Sequence, residues 1–181
     1  MKDANDRFSL DVDAVAGYCP SGEAWAEDKI ARGAVPVLSC EGPCIRGEIA
    51  RLSANLVARQ PPYARACYAE TILVPHSAMA RWVKQAEEVV VIDGCFLKCI
   101  GRVVNNLVDR ERVVHIDALP LHKRFSKVFH MDDVAEAERR DTAQSVAEKI
   151  LGLLKDRGTS SKPDVTHRDC ASVCAAVEKT R

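Results

Sequence analysis

Val89-Val90-Val91-Ile92-Asp93-Gly94-Cys95-Phe96-Leu97-Lys98-Cys99 is the stretch from which the rest of the chain can be read. Its first four residues are β-branched and apolar without interruption, so a strand here has no polar face to show to water. Such strands lie in parallel sheets covered on both sides by helices. Gly94 permits a turn straight after the strand. Cys99, Ile100, Val103, Val104, Leu107 and Val108 then recur at helical spacing, which predicts a helix reaching about Asp109.

Working outward, the same alternation repeats. Val35 to Ser39 is a short apolar run, followed by a tight loop at Cys40 to Pro43. Ile45, Ile49, Leu52 and Leu56 then mark one face of a helix that Gln60, Pro61 and Pro62 end. Ala66 to Val74 is expected to be a strand closed by Pro75, and His76 to Ala86 a helix. Arg112 to Ala118 reads as the last strand. Pro120 to Met131 reads as irregular and basic. Asp132 or Asp133 is expected to cap a long helix to about Asp156. Strands alternating with helices predict a three-layer α/β/α fold, Rossmann-like, with a mainly parallel sheet of about four strands. The expected organisation is an irregular lead-in over 1–34 with a short helix near Glu23 to Ala31, the α/β domain over 35–157, and a linker and short helix over 158–181.

The composition limits the function classes. Lys+Arg and Asp+Glu both number 26, so there is no basic excess for nucleic acid. No apolar run is long enough to span a membrane, and Met1 to Ser9 lacks the apolar core of a secretory signal. The expected location is therefore the cytoplasm. Eight cysteines are many for a reducing compartment, where structural disulfides are disfavoured. Metal binding or thiol chemistry is the better explanation, with two or three of the cysteines serving as small buried hydrophobes.

Two loops concentrate the thiols: Ser39-Cys40-Glu41-Gly42-Pro43-Cys44 and Asp93-Gly94-Cys95-Phe96-Leu97-Lys98-Cys99. In a parallel sheet both lie at the carboxyl edge, where α/β proteins bind ligands. Each opens a helix, and Cys95 and Cys99 are four apart, so one helical face presents both sulfurs. Zinc takes about four soft ligands in a tetrahedron, which two pairs of cysteines can supply. The bland alternative is that Cys99 faces the core and only Cys95 meets solvent.

The stretch Val89 to Cys99, with its central Asp93-Gly94-Cys95, resembles the DGC-domain family of zinc-binding proteins, named for that motif. The resemblance runs over about Val37 to Ala118. It includes the Cys-x-Gly loop at Cys40 to Gly42, the Gly47-containing helix and a central cysteine in Arg65-Ala66-Cys67-Tyr68. It implies four zinc ligands: Cys40, Cys67, Cys95 and Cys99. The family commonly has a small residue such as serine near the position of Cys44, so Cys44 stands as a fifth candidate. Asp93 is expected to support the site by accepting amide bonds that hold the Cys95 loop. The family name carries a ligand set and no defined biochemical role.

Cys40 to Arg46 also fits Cys-x5-Arg, the oxyanion loop of low-molecular-weight phosphatases and one class of arsenate reductase. There Cys40 would be the nucleophile, Arg46 would bind the oxyanion and Asp93 would protonate the leaving group. Pro43 removes an amide from such a cradle, and the late Asp-Pro loop of that branch is missing. The balance is against an enzyme. A zinc ion is the expected partner, nucleic acid and membrane are not expected, and a homo-oligomer stays open. Cys19, Cys170 and Cys174 have no assigned role. His167, Cys170 and Cys174 fit an amphipathic tail helix better than a second metal site. His115 reads as a hydrogen-bonded core residue.

Overall fold

A computed structural model describes residues 9–159 of the chain. The C-terminal cysteines and His167 lie outside them. The elements run α1 (Pro20–Ala31), β1 (Val35–Ser39), α2 (Ile45–Val57), β2 (Tyr63–Arg65), α3 (Tyr68–Leu73), α4 (Ala78–Gln85), β3 (Val89–Asp93), α5 (Cys99–Val104), β4 (Val113–Asp117), α6 (Leu119–His122) and α7 (Glu136–Thr159). The four strands form one sheet in the order β2-β1-β3-β4, every pair parallel. The expected three-layer α/β fold is what the chain adopts.

The β-branched run explains the layers. Val89, Val90, Val91 and Ile92 are all fully buried. Val90 and Ile92 face a core shared with Ile45, Ile49 and Val57 of α2 and Val146, Ala147 and Ile150 of α7. Val89 and Val91 face the opposite core, with Ala26 of α1, Met79, Trp82 and Val83 of α4, and Ile100 and Val104 of α5. Alternate residues thus point to opposite faces, and each face finds an apolar cover. Burying each such side chain contributes roughly 1.5–3 kcal/mol.

The winding of the chain positions the site. From β1 the chain crosses through α2, on the α7 side, to β2 at one edge. From β3 it crosses through α5, on the α1 and α4 side, to β4 at the other edge. Connections leave in opposite directions from two adjacent strands. The carboxyl ends of β1 and β3 therefore flank a switch-point crevice, the usual ligand position in open α/β sheets.

Several boundaries differ from expectation. The strand expected over Ala66 to Val74 is instead Tyr63–Arg65, and Tyr68–Leu73 is helical. Arg65 pairs with Val37 and the Ala66 amide donates to the Val37 carbonyl, so β1 is satisfied before the Thr71-Ile72 pair is reached. Ala69, Glu70 and Leu73 then favour a helical turn. Pro20 opens α1 rather than breaking the lead-in, because a proline at the first helical position has no amide to lose. Helix α5 is short, ending at Val104. Helix α7 begins at Glu136, and Asp132 and Asp133 lie in a preceding 3-10 turn rather than capping it. Among the described residues no helix is long and apolar enough to cross a membrane.

Candidate functional site

Cys40 follows β1 directly. Its amide donates to the Ile92 carbonyl of β3 at 2.9 Å, which fixes it at the mouth of the crevice. The backbone amides nearest its sulfur are those of Gly42, from its own loop, and Gly94, from the loop across the crevice. Burial pushes the Cys40 thiol above its usual range, those two amides draw it down, and Asp93 and Cys99 push it up again. Cys44 caps α2, its sulfur accepting from the Gly47 amide at 3.4 Å. Both thiols are half-buried.

The second loop meets the first through Gly94. A Cβ there would lie 2.5 Å from the Arg46 carbonyl oxygen and 2.9 Å from the Gly47 nitrogen, so only glycine lets the loop rest against the first turn of α2. Close approach, and not a left-handed turn, is what this glycine supplies: among the described glycines only Gly33 has positive φ. Cys95 follows, half-buried. Burial pushes its thiol up, the Leu97 amide and the Arg46 charge draw it down, and Cys44 and Cys99 push it up. Lys98 lies between the two cysteines with φ 50° and ψ 47°, a left-handed conformation that costs a lysine on the order of 1 kcal/mol. Cys99 then opens α5 and is exposed.

Asp93 holds this arrangement from below. It is 1% exposed. It accepts from the Ile100 amide at 3.1 Å and the Gly101 amide at 2.8 Å, and its Oδ2 stands 2.7 Å from His115 Nε2. Lys98 offers α5 no side-chain cap, so Asp93 satisfies the helix's first amides from outside the helix. The bonds go to the turn after Cys99 rather than to the Cys95 loop, so the thiol that Asp93 positions is Cys99. His115 is the hydrogen-bonded core residue that its place in a strand suggests.

Cys67 is placed differently. It follows β2, is exposed, and lines a cleft of about 590 Å³ with Cys19, Trp25, Tyr68, Glu70 and Met79. Arg65 and Glu41, the latter from the Cys40 loop, line that cleft too. The Arg65 guanidinium binds the Val37 carbonyl at 2.8 Å, the Ser39 hydroxyl, Asn55 and the Glu41 carboxylate. Burial lowers the pKa of Arg65 and the Glu41 charge opposes that shift. This clamp, together with Asp117 at the end of β4, is what sequence reasoning missed. Asp117 pairs with Asp93 in register, and burial raises its carboxyl above the ordinary range, while the Leu119 amide and Lys98 draw it down. The signal was there: Val113 to Asp117 ends in an acid just as β3 does.

Some of the groups named for the oxyanion reading are engaged elsewhere, although Arg46 Nε is buried without a partner. The Ile45 amide is taken by the Phe129 carbonyl at 2.9 Å, and Arg46 Nη2 donates to the Ser126 carbonyl at 2.5 Å. Asp93 is buried and both its oxygens are engaged. Glu41 belongs to Arg65, not to Arg46.

The sequence model of the DGC domain matches residues 36–146. The chain belongs to the DGC domain family. The match extends beyond α5 and β4 into α7, so the DGC domain here is essentially the whole sheet with its covering helices. No curated protein and no solved structure matches the chain. Cys40, Cys44, Cys95 and Cys99 are carried by two loops that meet at Gly94. Their spacing is open: among the described residues no three His, Cys, Asp or Glu side chains already stand as a metal-binding group.

One electrostatic feature of the DGC fold sets its acid stability. Burial, with Arg124, Lys149 and Arg46 nearby, lowers the His122 pKa from 6.5 to about 4. Its Nδ1 accepts the Arg124 amide at 3.0 Å and its Nε2 is buried without a partner. Unfolded His122 takes a proton near pH 6.5, whereas the folded residue refuses it until about pH 4. The native state therefore loses stability as pH falls through that window and keeps it above. With partial solvent screening the expected loss is about 2 kcal/mol. Urea midpoints at pH 7 and pH 4.5 should show it, and His122→Asn should remove most of the difference. An unchanged difference in the variant would rule His122 out as the cause.

Proposed function

We propose that this DGC domain binds a zinc ion through thiolates of the switch-point crevice, with Cys40, Cys95 and Cys99 as its centre and a fourth sulfur from Cys44 or Cys67. The observation that carries the reading is the interlock of the two loops: Gly94 of one packs so closely on the Arg46 and Gly47 backbone of the other that a Cβ would not fit. That contact brings the Cys40–Cys44 and Cys95–Cys99 loops side by side, and thiolates are soft ligands that suit zinc. Four thiolates close the coordination sphere, so the domain is a metal-binding or metal-sensing module rather than a hydrolytic centre with a metal-bound water. A reducing cytoplasm, where such thiols stay unpaired, is the matching location.

Elemental analysis of protein purified without chelator tests this. The expected result is about one zinc ion per chain, lost on Cys95→Ser. Cobalt(II) added to stripped protein should give the charge-transfer absorption of cobalt–thiolate bonds. Protein that retains no zinc and gives no such absorption overturns the reading. Hydrolysis of an aryl phosphate that stops on Cys40→Ser would favour the oxyanion chemistry instead.

A further inference from the structure

The first turns of α1 and α3 touch, and each is opened by a cysteine. Cys19 holds the cap position of α1 and Cys67 that of α3. Gly22 and Glu70 are the third residues of the two helices. A Cβ on Gly22 would lie 2.4 Å from Glu70 Oε2, so the two turns rest directly on one another. Residues three apart lie on the same side of a helical turn, so this contact draws both cap cysteines to one place. The Cys19 sulfur accepts the Gly22 amide at 3.4 Å, which holds it against the contact. Both cysteines are exposed, and both line the cleft of about 590 Å³.

We propose that Cys19 and Cys67 form a reversible redox pair, which closes to a disulfide across this cleft when a low-mass disulfide of the glutathione class oxidises it. The family gives Cys19 no role, because the DGC match begins at residue 36.

The fold fixes both backbones and leaves the sulfurs open. Trp25 Nε1 donates to the Arg65 carbonyl at 3.1 Å, Glu23 accepts the Ala78 amide at 2.8 Å, and Ala26 is fully buried. These contacts fix α1 against the end of β2 and against α4, with Cys19 at its start. The Cys67 amide donates to the Met79 sulfur at 3.4 Å, and its carbonyl accepts the Thr71 amide at 3.0 Å and the Thr71 hydroxyl at 2.8 Å. A disulfide demands Cα atoms about 4.4–6.8 Å apart, so its formation in the native chain reads out how closely the two caps stand.

Closure takes two displacements. The Cys67 sulfur, which makes no capping bond, attacks one sulfur of the reagent as thiolate and expels a low-mass thiolate. The Cys19 thiolate then attacks the Cys67 sulfur of that mixed disulfide and expels the second. The protein thiols lose two electrons, the reagent gains them, and the two protons pass to the released thiols. A dithiol reductant reverses both steps.

The full chain, as purified and after chelator treatment, is incubated with glutathione disulfide, alkylated, digested with trypsin and mapped by mass. The expected product is a cross-link between the tryptic peptides 8–29 and 66–81, which dithiothreitol removes. Cys19→Ser should leave Cys67 carrying glutathione, and Cys67→Ser should abolish the cross-link. A cross-link that appears only after the chelator keeps the pair and makes Cys67 the fourth zinc ligand. The absence of this cross-link from the native chain, whether the two thiols carry glutathione or stay free, overturns the proposal and leaves zinc binding untouched. A cross-link that forms only in urea does the same.

Discussion

Asp93→Ala is expected to destabilise the fold by about 3–5 kcal/mol, the range seen when one partner of a buried charged network is removed. The carboxylate is 1% exposed and serves three donors: the Ile100 amide, the Gly101 amide and His115. Alanine leaves all three without an acceptor in a place water does not reach, and each orphaned donor costs about 1–3 kcal/mol. No other side chain can take over, because Lys98, at the cap position of α5, makes no capping bond. Gly101 shows how closely the group is built: a Cβ there would lie 2.6 Å from His115 Nε2 and 2.8 Å from Asp93 Oδ2. Asp93→Asn keeps one acceptor oxygen and should cost roughly half as much. Urea denaturation followed by circular dichroism measures both. Iodoacetamide should also reach Cys99 faster in the alanine variant, since the first turn of α5 frays. A midpoint equal to that of the wild type would mean that the three bonds do not hold the helix.

The second large effect is expected at Gly94. A Cβ at this position would meet the Arg46 carbonyl oxygen at 2.5 Å, its carbon at 2.7 Å and the Gly47 nitrogen at 2.9 Å. These are backbone atoms in the first turn of α2, so no rotamer change relieves the contact. Gly94→Ala should cost about 3 kcal/mol, at the upper end of ordinary overpacking. On the zinc reading proposed above, moving the two loops apart also weakens zinc retention. Gly42→Ala is the control. A Cβ there would meet only the Cys40 sulfur, at 3.6 Å, an ordinary contact, so its cost should stay below about 1 kcal/mol. Paired urea midpoints decide the matter. Equal costs at the two positions would show that the interlock of the loops is not what makes Gly94 necessary.

Much of this site was legible in the chain because it is built from local signals. Cys40, Cys44, Cys95 and Cys99 sit at the ends of two strand-to-helix loops, and a parallel sheet places all such loops on one edge. Asp93 was visible as a supporting acid, although its partners were not: nothing in the residue order tells that His115, 22 residues on, faces it. The Arg65 clamp was hidden for a similar reason. An arginine before Ala66-Cys67 looks ordinary until the register pairs it with Val37 and brings it to Ser39 and Glu41. The strand wrongly expected over Ala66 to Val74 has the same origin. Three residues are enough for the edge strand, and a signal that short is outweighed by the β-branched residues downstream.

By itself the sequence determined the layered α/β architecture. An unbroken β-branched strand must be covered on both faces, and the apolar periods around it supply the covers. It also determined that thiols gather at the carboxyl edge, because that follows from strand direction alone. Only the tertiary structure decided which loops meet. Strand order is set by crossovers between residues far apart in the chain, and it puts β3 beside β1 on one side and β2 on the other. That order sets the turn at Gly94 against the first turn of α2, and leaves Cys67 in a cleft lined by Trp25 of α1 and by Glu41.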